Sequence, residues 1–263
     1  MARNSSYTTQ LQAGLGMIHE TLDLLRLWEP GDSPIKLAEK AISAGVFSRT
    51  TARRARNIVA EMFAPRFLAA GGGAARYLKE MVDTDQNMED LKQLFYLYTA
   101  RAQSIFADFV TEVYWPRYAA GAHHINRVEA ESFVHQALHA GKMQKRWTET
   151  TIRRVSGYLL GCCADFGLIS TRGKTNSVIN RFAVRRNVVL YLVYDLHFSG
   201  LGDFGVMSES DWRLFGLEQN EVINHVKSLA NDGHLIVQAT SDLVQIEWKY
   251  SSMEHCIRAI TER

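Results

Sequence analysis

The chain has 263 residues, 46% hydrophobic and 22% charged, with 18 glycines and four prolines, which excludes collagen-like, low-complexity and wholly disordered classes. No apolar run approaches the roughly 20 residues that span a bilayer, the N-terminus lacks a secretory core, and three cysteines, Cys162, Cys163 and Cys256, make a poor disulfide framework. Net charge is +2, from 15 basic and 15 acidic residues over 1–141, ten basic against Glu149 and Asp165 over 142–186, and five basic against eleven acidic over 187–263.

These numbers predict a cytoplasmic protein with no membrane partner. A field of one sign over 142–186 is what a polyanion such as double-stranded DNA attracts, through phosphate neutralisation and counterion release. A solvated basic face without a partner is the plain alternative.

In chain order, Leu11, Leu15, Ile18, Leu22 and Leu25 recur at helical spacing until Trp28-Glu29-Pro30-Gly31 breaks the pattern. Pro34 opens a short helix that Gly45 stops. Ser48 or Thr50 is placed to cap the next helix, whose buried stripe is Ala52, Ala55, Val59, Met62 and Phe63. Arg49, Arg53, Arg54 and Arg56 lie on it, so the pair has a helix-turn-helix outline. Ala69 to Ala74, with three glycines, reads as a flexible joint. A helix is expected from Glu89 to about Tyr114, ended by Trp115-Pro116, and another from Glu129 to Ala140, closed by Gly141.

Thr148 is placed to cap a helix running to about Asp165 and ended by Gly167. Ile152, Val155, Leu159, Cys162, Cys163 and Phe166 form its core stripe. Thr150, Arg153, Arg154, Gly157 and Gly161 lie opposite, where glycines would let a phosphate backbone come close. Strands at Leu168-Ile169 and Val178 to Val184, joined through Arg172-Gly173-Lys174, complete a winged-helix outline. Asn187 to Phe198 is a buried connecting element. A second helix over Val222 to Ala230 and a hairpin over His234 to Tyr250 repeat the outline with acidic charge, which suits protein docking better than phosphate.

The expected fold class is therefore mainly α: helical bundles with helix-turn-helix or winged-helix-like units and one or two small β-hairpin wings. Four parts follow: 1–70, helix-turn-helix-like; 71–141, a helical connector; 142–200, the basic winged-helix-like unit; and 201–263, its acidic counterpart.

Enzymatic signatures do not hold together. Gly200-Leu201-Gly202-Asp203-Phe204-Gly205 matches G-x-G-x-x-G, but a dinucleotide site also needs a helix opening within the glycines and a βαβ unit. Here Ser208 looks like the cap of a later helix. Gly173-Lys174-Thr175 lacks the first glycine of a P-loop in register, and two Asp-Phe-Gly triplets lack the other kinase signatures. Glu131, His135 and His139 share a helix face at a spacing that could bind a metal, yet a polar helix edge explains them as well. Cys162 and Cys163 fall on a core face, where thiols are usually inert. No catalytic residue, cofactor or metal is expected.

Tyr7-Thr8-Thr9-Gln10-Leu11-Gln12-Ala13-Gly14-Leu15, Trp147-Thr148-Glu149-Thr150-Thr151-Ile152-Arg153-Arg154-Val155, the run Leu159-Leu160 to Leu168, and Val189-Leu190-Tyr191-Leu192 together resemble the BrxA family of the bacterial BREX phage-exclusion systems. The resemblance runs from residue 7 to about residue 200. It implies a non-enzymatic DNA-binding component that works beside a methyltransferase, an ATPase and a phosphatase-like protein. The residues expected at DNA come from charge and helix geometry instead. Arg153 and Arg154 would lie at the groove, Arg172 and Lys174 at a wing tip, and Lys142, Lys145, Arg146, Arg181, Arg185 and Arg186 along phosphates. Arg49, Arg53, Arg54 and Arg56 would form a second contact. Few side chains suit bidentate base reading, so sequence preference should be weak. A protein-only adaptor of the same defence complex is the competing reading.

Overall fold

A computed structural model describes residues 6–13, 15–143, 145–172, 176–239 and 244–262. The fold is mainly helical with small antiparallel strand groups, and the chain divides into two compact units. One comprises residues 1–76 and 95–182, the other 77–94 and 183–263.

The first unit begins with a single 3-10 turn at Gln10–Ala13, then α1 (Ile18–Leu27), α2 (Pro34–Ser43) and α3 (Ala52–Ile58). Ser33 caps α2 just before Pro34, whose missing N–H costs nothing at that position. The cap of α3 is Thr51, accepting from the Arg54 amide at 3.2 Å, rather than Ser48 or Thr50. From Val59 to Leu68 the helix widens into a π-helix that contains Pro65. Proline offers no N–H for the ordinary i→i−4 ladder, and wider winding relieves its clash with the preceding turn. Ala55, Val59, Met62 and Phe63 are buried as the spacing requires, whereas Ala52 is exposed. The Ala69–Gly72 turn is a kink with Ala70 and Gly71 left-handed (φ 51° and 79°), and α4 (Gly73–Asp83) starts at once behind it.

The long helix expected over 89–114 is broken. Gln103 (φ −128°, ψ 89°) separates α5 (Met88–Ala102) from α6 (Ser104–Phe109), and a second π segment covers Val110–Tyr114. Trp115-Pro116 does not end the run, because the proline falls in the first turn of α7 (Trp115–Ala119), where it is tolerated. A short strand that the sequence pattern did not suggest, β1 (His124–Asn126), precedes α8 (Arg127–His139). Its end is marked by a capping box in which Asn126 and Glu129 bond each other's backbone amides.

Next come α9 (Glu149–Asp165), β2 (Ile169–Arg172) and β3 (Asn176–Ile179). The three strands form an antiparallel sheet in the order β1-β3-β2, with Ile125 opposite Ser177 and Ile169 opposite Ile179. Residues 180–184, expected to continue the second strand, lie outside it. The core of this unit is aromatic. Phe67 packs edge-on to Phe95 at 5.7 Å, Tyr96 to Phe106 at 5.8 Å, and Phe109 to Phe133 at 5.5 Å. The buried Tyr114 hydroxyl donates to the Leu168 carbonyl at 2.9 Å, tying the second π segment to the start of the hairpin.

The second unit is built on α10 (Arg186–Phe198), buried nearly all round from Val188 to Leu196. Around it lie α11 (Asp203–Ser208), a 3-10 turn at Ser210–Phe215, α12 (Gln219–Asn231), the hairpin β4 (Leu235–Ala239) and β5 (Val244–Trp248), and α13 (Met253–Thr261). The Tyr194 hydroxyl donates to the His234 carbonyl (2.7 Å) and accepts from the Lys249 amide (3.1 Å), so one α10 side chain fixes both hairpin ends.

Candidate nucleic-acid interface

The approach to α9 and its first two turns hold a group of exposed cations. Thr148 caps the helix, its hydroxyl accepting from the Thr151 amide at 3.3 Å, as the sequence suggests. Ile152, Val155, Ser156, Leu159, Cys162 and Cys163 are buried, which turns Thr150, Arg153 and Arg154 to solvent. Lys145 and Arg146, on the approach, are exposed too. Among the described residues none of these four cations has a carboxylate partner. The neighbouring Glu149 faces His135 instead, with Oε2 3.5 Å from Nε2. The N-terminus of a 17-residue helix adds partial positive charge at the same place.

Arg127 is a fifth cation at this spot, and charge counting missed it. Its Nη2 donates to the Arg153 carbonyl at 2.9 Å while its Nε donates to Glu131 at 3.0 Å. It lies in the electrically balanced stretch, so only the fold brings it beside α9. The capping box that starts α8 was the available signal.

The remaining expected contacts lie on other elements, lie outside the described residues or are engaged by neighbouring groups. Arg49, Arg53, Arg54 and Arg56 are exposed on and before α3, which packs on α2 and the π-helix, whereas α9 packs on α8, β2 and the Gln10–Ala13 turn. Arg181 is exposed beyond β3. Lys174 and the Arg172 side chain lie outside the described residues. Lys142 is part-exposed and engaged by its neighbours: its ammonium donates to the Tyr7 hydroxyl and Asp108 at 3.1 Å and to Glu112 at 3.4 Å. Burial works against its charge, but the hydrogen bonds and charges of the two carboxylates outweigh it and hold its pKa above the usual lysine value.

Arg185 and Arg186 belong to the second unit and are also engaged. Arg185 pairs with Asp90, whose side chain is 1% exposed, and Arg186 pairs with Asp232. A buried carboxylate needs a partner, which explains the first of these contacts. Of the two glycines assigned to phosphate approach, only Gly157 has open space over it. A Cβ on Gly161 would lie 2.8 Å from Leu15 Cδ1, so that position is covered by the chain's own N-terminal segment.

The weighed chemical motifs have structural duties. Burial pushes the Cys162 thiol up to about 12, and Cys163 and Cys256 are raised by burial as well. Glu131 is engaged by Arg127 and His135 by Glu149, and no group of three metal-ligating side chains gathers among the described residues. A helix does open within the 200–205 glycines, at Asp203 with Gly202 as its cap, contrary to the expected cap at Ser208. Asp203 uses both oxygens on the hairpin, accepting from the Ile246 amide at 2.8 Å and Trp248 Nε1 at 3.2 Å.

The BrxA family model matches residues 5–194. The chain belongs to the BrxA family. It is thereby a component of a BREX phage-defence system. The matched segment ends within α10, so the acidic residues of α12 and the second hairpin lie beyond the BrxA match. The fold is similar to the crystal structure of an uncharacterized protein from Magnetospirillum magneticum, with a TM-score of 0.61 and 14% identity over 80% of this chain and 97% of that one. No curated protein matches the chain. No helix of the described residues is long and apolar enough to cross a membrane.

Proposed function

We propose that this BrxA-family chain is a non-enzymatic, double-stranded-DNA-binding accessory protein of its BREX system, acting in the cytoplasm on phosphates with weak sequence preference. The observation that carries this reading is the set Lys145, Arg146, Arg153 and Arg154, exposed at the capped end of α9 without carboxylate partners among the described residues. Four such cations at a helix N-terminus match the chemistry of a phosphate backbone.

The succession β1, α8, α9, β2, β3, with β1 added to the hairpin on the β3 side, supports a winged-helix reading in which α9 addresses the groove. The burial of all three thiols supports a binding rather than a covalent role. Titrating a fluorescent duplex in rising salt tests the proposal. Affinity should fall steeply with salt, and binding indifferent to salt contradicts it.

A second reading, a protein adaptor of the same complex without DNA contact, is favoured by one observation. The second unit exposes Phe198 (39%) and Phe204 (67%) within an acidic sequence. Capture of the methyltransferase, ATPase or phosphatase-like component from nuclease-treated lysate, by a chain that fails to bind pure duplex, would select it.

A further inference from the structure

The stretch from Tyr7 to Leu15 carries no charge, and phosphate binding gives it no role. It is nevertheless attached on both sides of α9. On the approach, the Tyr7 amide donates to the Lys142 carbonyl at 2.7 Å and Tyr7 pairs with Met143 in a parallel bridge. The Tyr7 hydroxyl donates to Asp108 at 2.6 Å, and the Lys142 ammonium closes that triangle over the tyrosine ring. At the far end of the helix the Gly16 amide donates to Asp165 Oδ2 at 2.8 Å.

The fit at that end is tight. A Cβ on Gly16 would sit 2.4 Å from the Asp165 Cβ, and Leu15 covers Gly161. The Leu15 carbonyl in turn accepts from the buried Arg66 guanidinium at 2.8 Å, which anchors the segment to the π-helix. Between those attachments Tyr7 and Leu11 are themselves buried, at 3% and 0% exposed.

We infer that Tyr7 to Gly16 is a positioning strap for α9: it holds the 142–148 approach and the C-terminal turn of the helix, and so presents Lys145, Arg146, Arg153 and Arg154 to duplex DNA as one rigid set. The inference rests on the DNA-binding reading above. Rigidity matters because a mobile approach must be ordered at the moment of binding, and that cost is subtracted from affinity. It also gives Lys142 its duty, which is to close the latch rather than to meet phosphate.

The test combines amide hydrogen exchange with duplex binding on the full chain. Gly16→Ala and Tyr7→Phe should speed exchange over residues 142–152 and weaken binding about five- to tenfold at fixed salt. Asp165→Ala should do the same, while Asp165→Asn, which keeps an acceptor for the Gly16 amide but removes a charge near Arg66, should lose less of both. Leu37→Val, a core truncation in α2, should lower the melting temperature without moving either readout. Unchanged exchange over 142–152 in both Tyr7→Phe and Gly16→Ala overturns the strap. So does a Leu37→Val chain that loses as much binding for the same loss of melting temperature. If Gly16→Ala does not fold, Tyr7→Phe and the Asp165 pair decide the matter. A wild-type chain that ignores duplex overturns the DNA reading, and the exchange measurements still judge whether the strap holds the approach.

Discussion

The segments α9–β2–β3 and α12–β4–β5 share a local frame and differ in what their charges do. Each helix is capped at its N-terminus, by Thr148 in one and by the Glu218–Glu221 capping box in the other. Each is followed by a left-handed glycine, Gly167 (φ 78°) or Gly233 (φ 73°), and then by a strand. On α9 the exposed first turns show Arg153 and Arg154; on α12 they show Glu218 and Glu221. In the second unit Arg185 is spent on Asp90 and Arg186 on Asp232, while Lys145, Arg146, Arg153 and Arg154 are exposed at α9. The same backbone solution thus serves two surfaces, and free charge rather than outline separates them.

The largest effect should come from reversing the free pair. Arg153→Glu with Arg154→Glu should weaken duplex binding by about a hundredfold or more near 100 mM salt, with the circular dichroism spectrum unchanged. If the double variant binds as wild type does, α9 is not the interface. Next, Asp90→Ala should lower unfolding stability by roughly 3 kcal/mol in urea, because Arg185 and Asn187 lose their shared buried acceptor. Arg185 would then be structural, and a loss of DNA affinity out of proportion to stability would return it to the interface.

Tyr194→Phe should cost about 1–2 kcal/mol by releasing the two ends of the second hairpin, without touching duplex affinity. The smallest effect belongs to Glu218→Gln with Glu221→Gln, which keeps the capping oxygens and should change duplex affinity less than about twofold. A large gain or loss there would mean that α12 also approaches the polyanion.

Much of this frame is legible in the sequence because caps and glycines act locally. Thr148, Gly141 and Gly167 mark boundaries whose chemistry involves only neighbouring residues, and the α9 stripe follows from helical period alone. The misreadings have equally physical sources. Gln103 and the second π segment break a stretch whose apolar pattern looks continuous, since the pattern records burial and not winding. With only three residues, β1 is too short to show alternation, and it exists through pairing with β3, fifty residues on.

Within the candidate site, residue type located Lys145, Arg146, Arg153 and Arg154. It could not tell them from Lys142, whose partners Tyr7 and Asp108 are remote in sequence. Arg127 was missed for the converse reason, since its role depends on where α8 meets α9. Charge composition shows where cations are plentiful, and only tertiary structure shows which of them are already neutralised.

The most direct measurement is the anisotropy of a labelled duplex titrated with the pure chain from about 50 to 300 mM salt. With four to six phosphates neutralised, log affinity should fall against log salt with a slope between about −3.6 and −5.4, and reversing Arg153 and Arg154 should flatten it by about two. A flat salt dependence, or the same slope in the reversed variant, would contradict α9 as the DNA-facing helix.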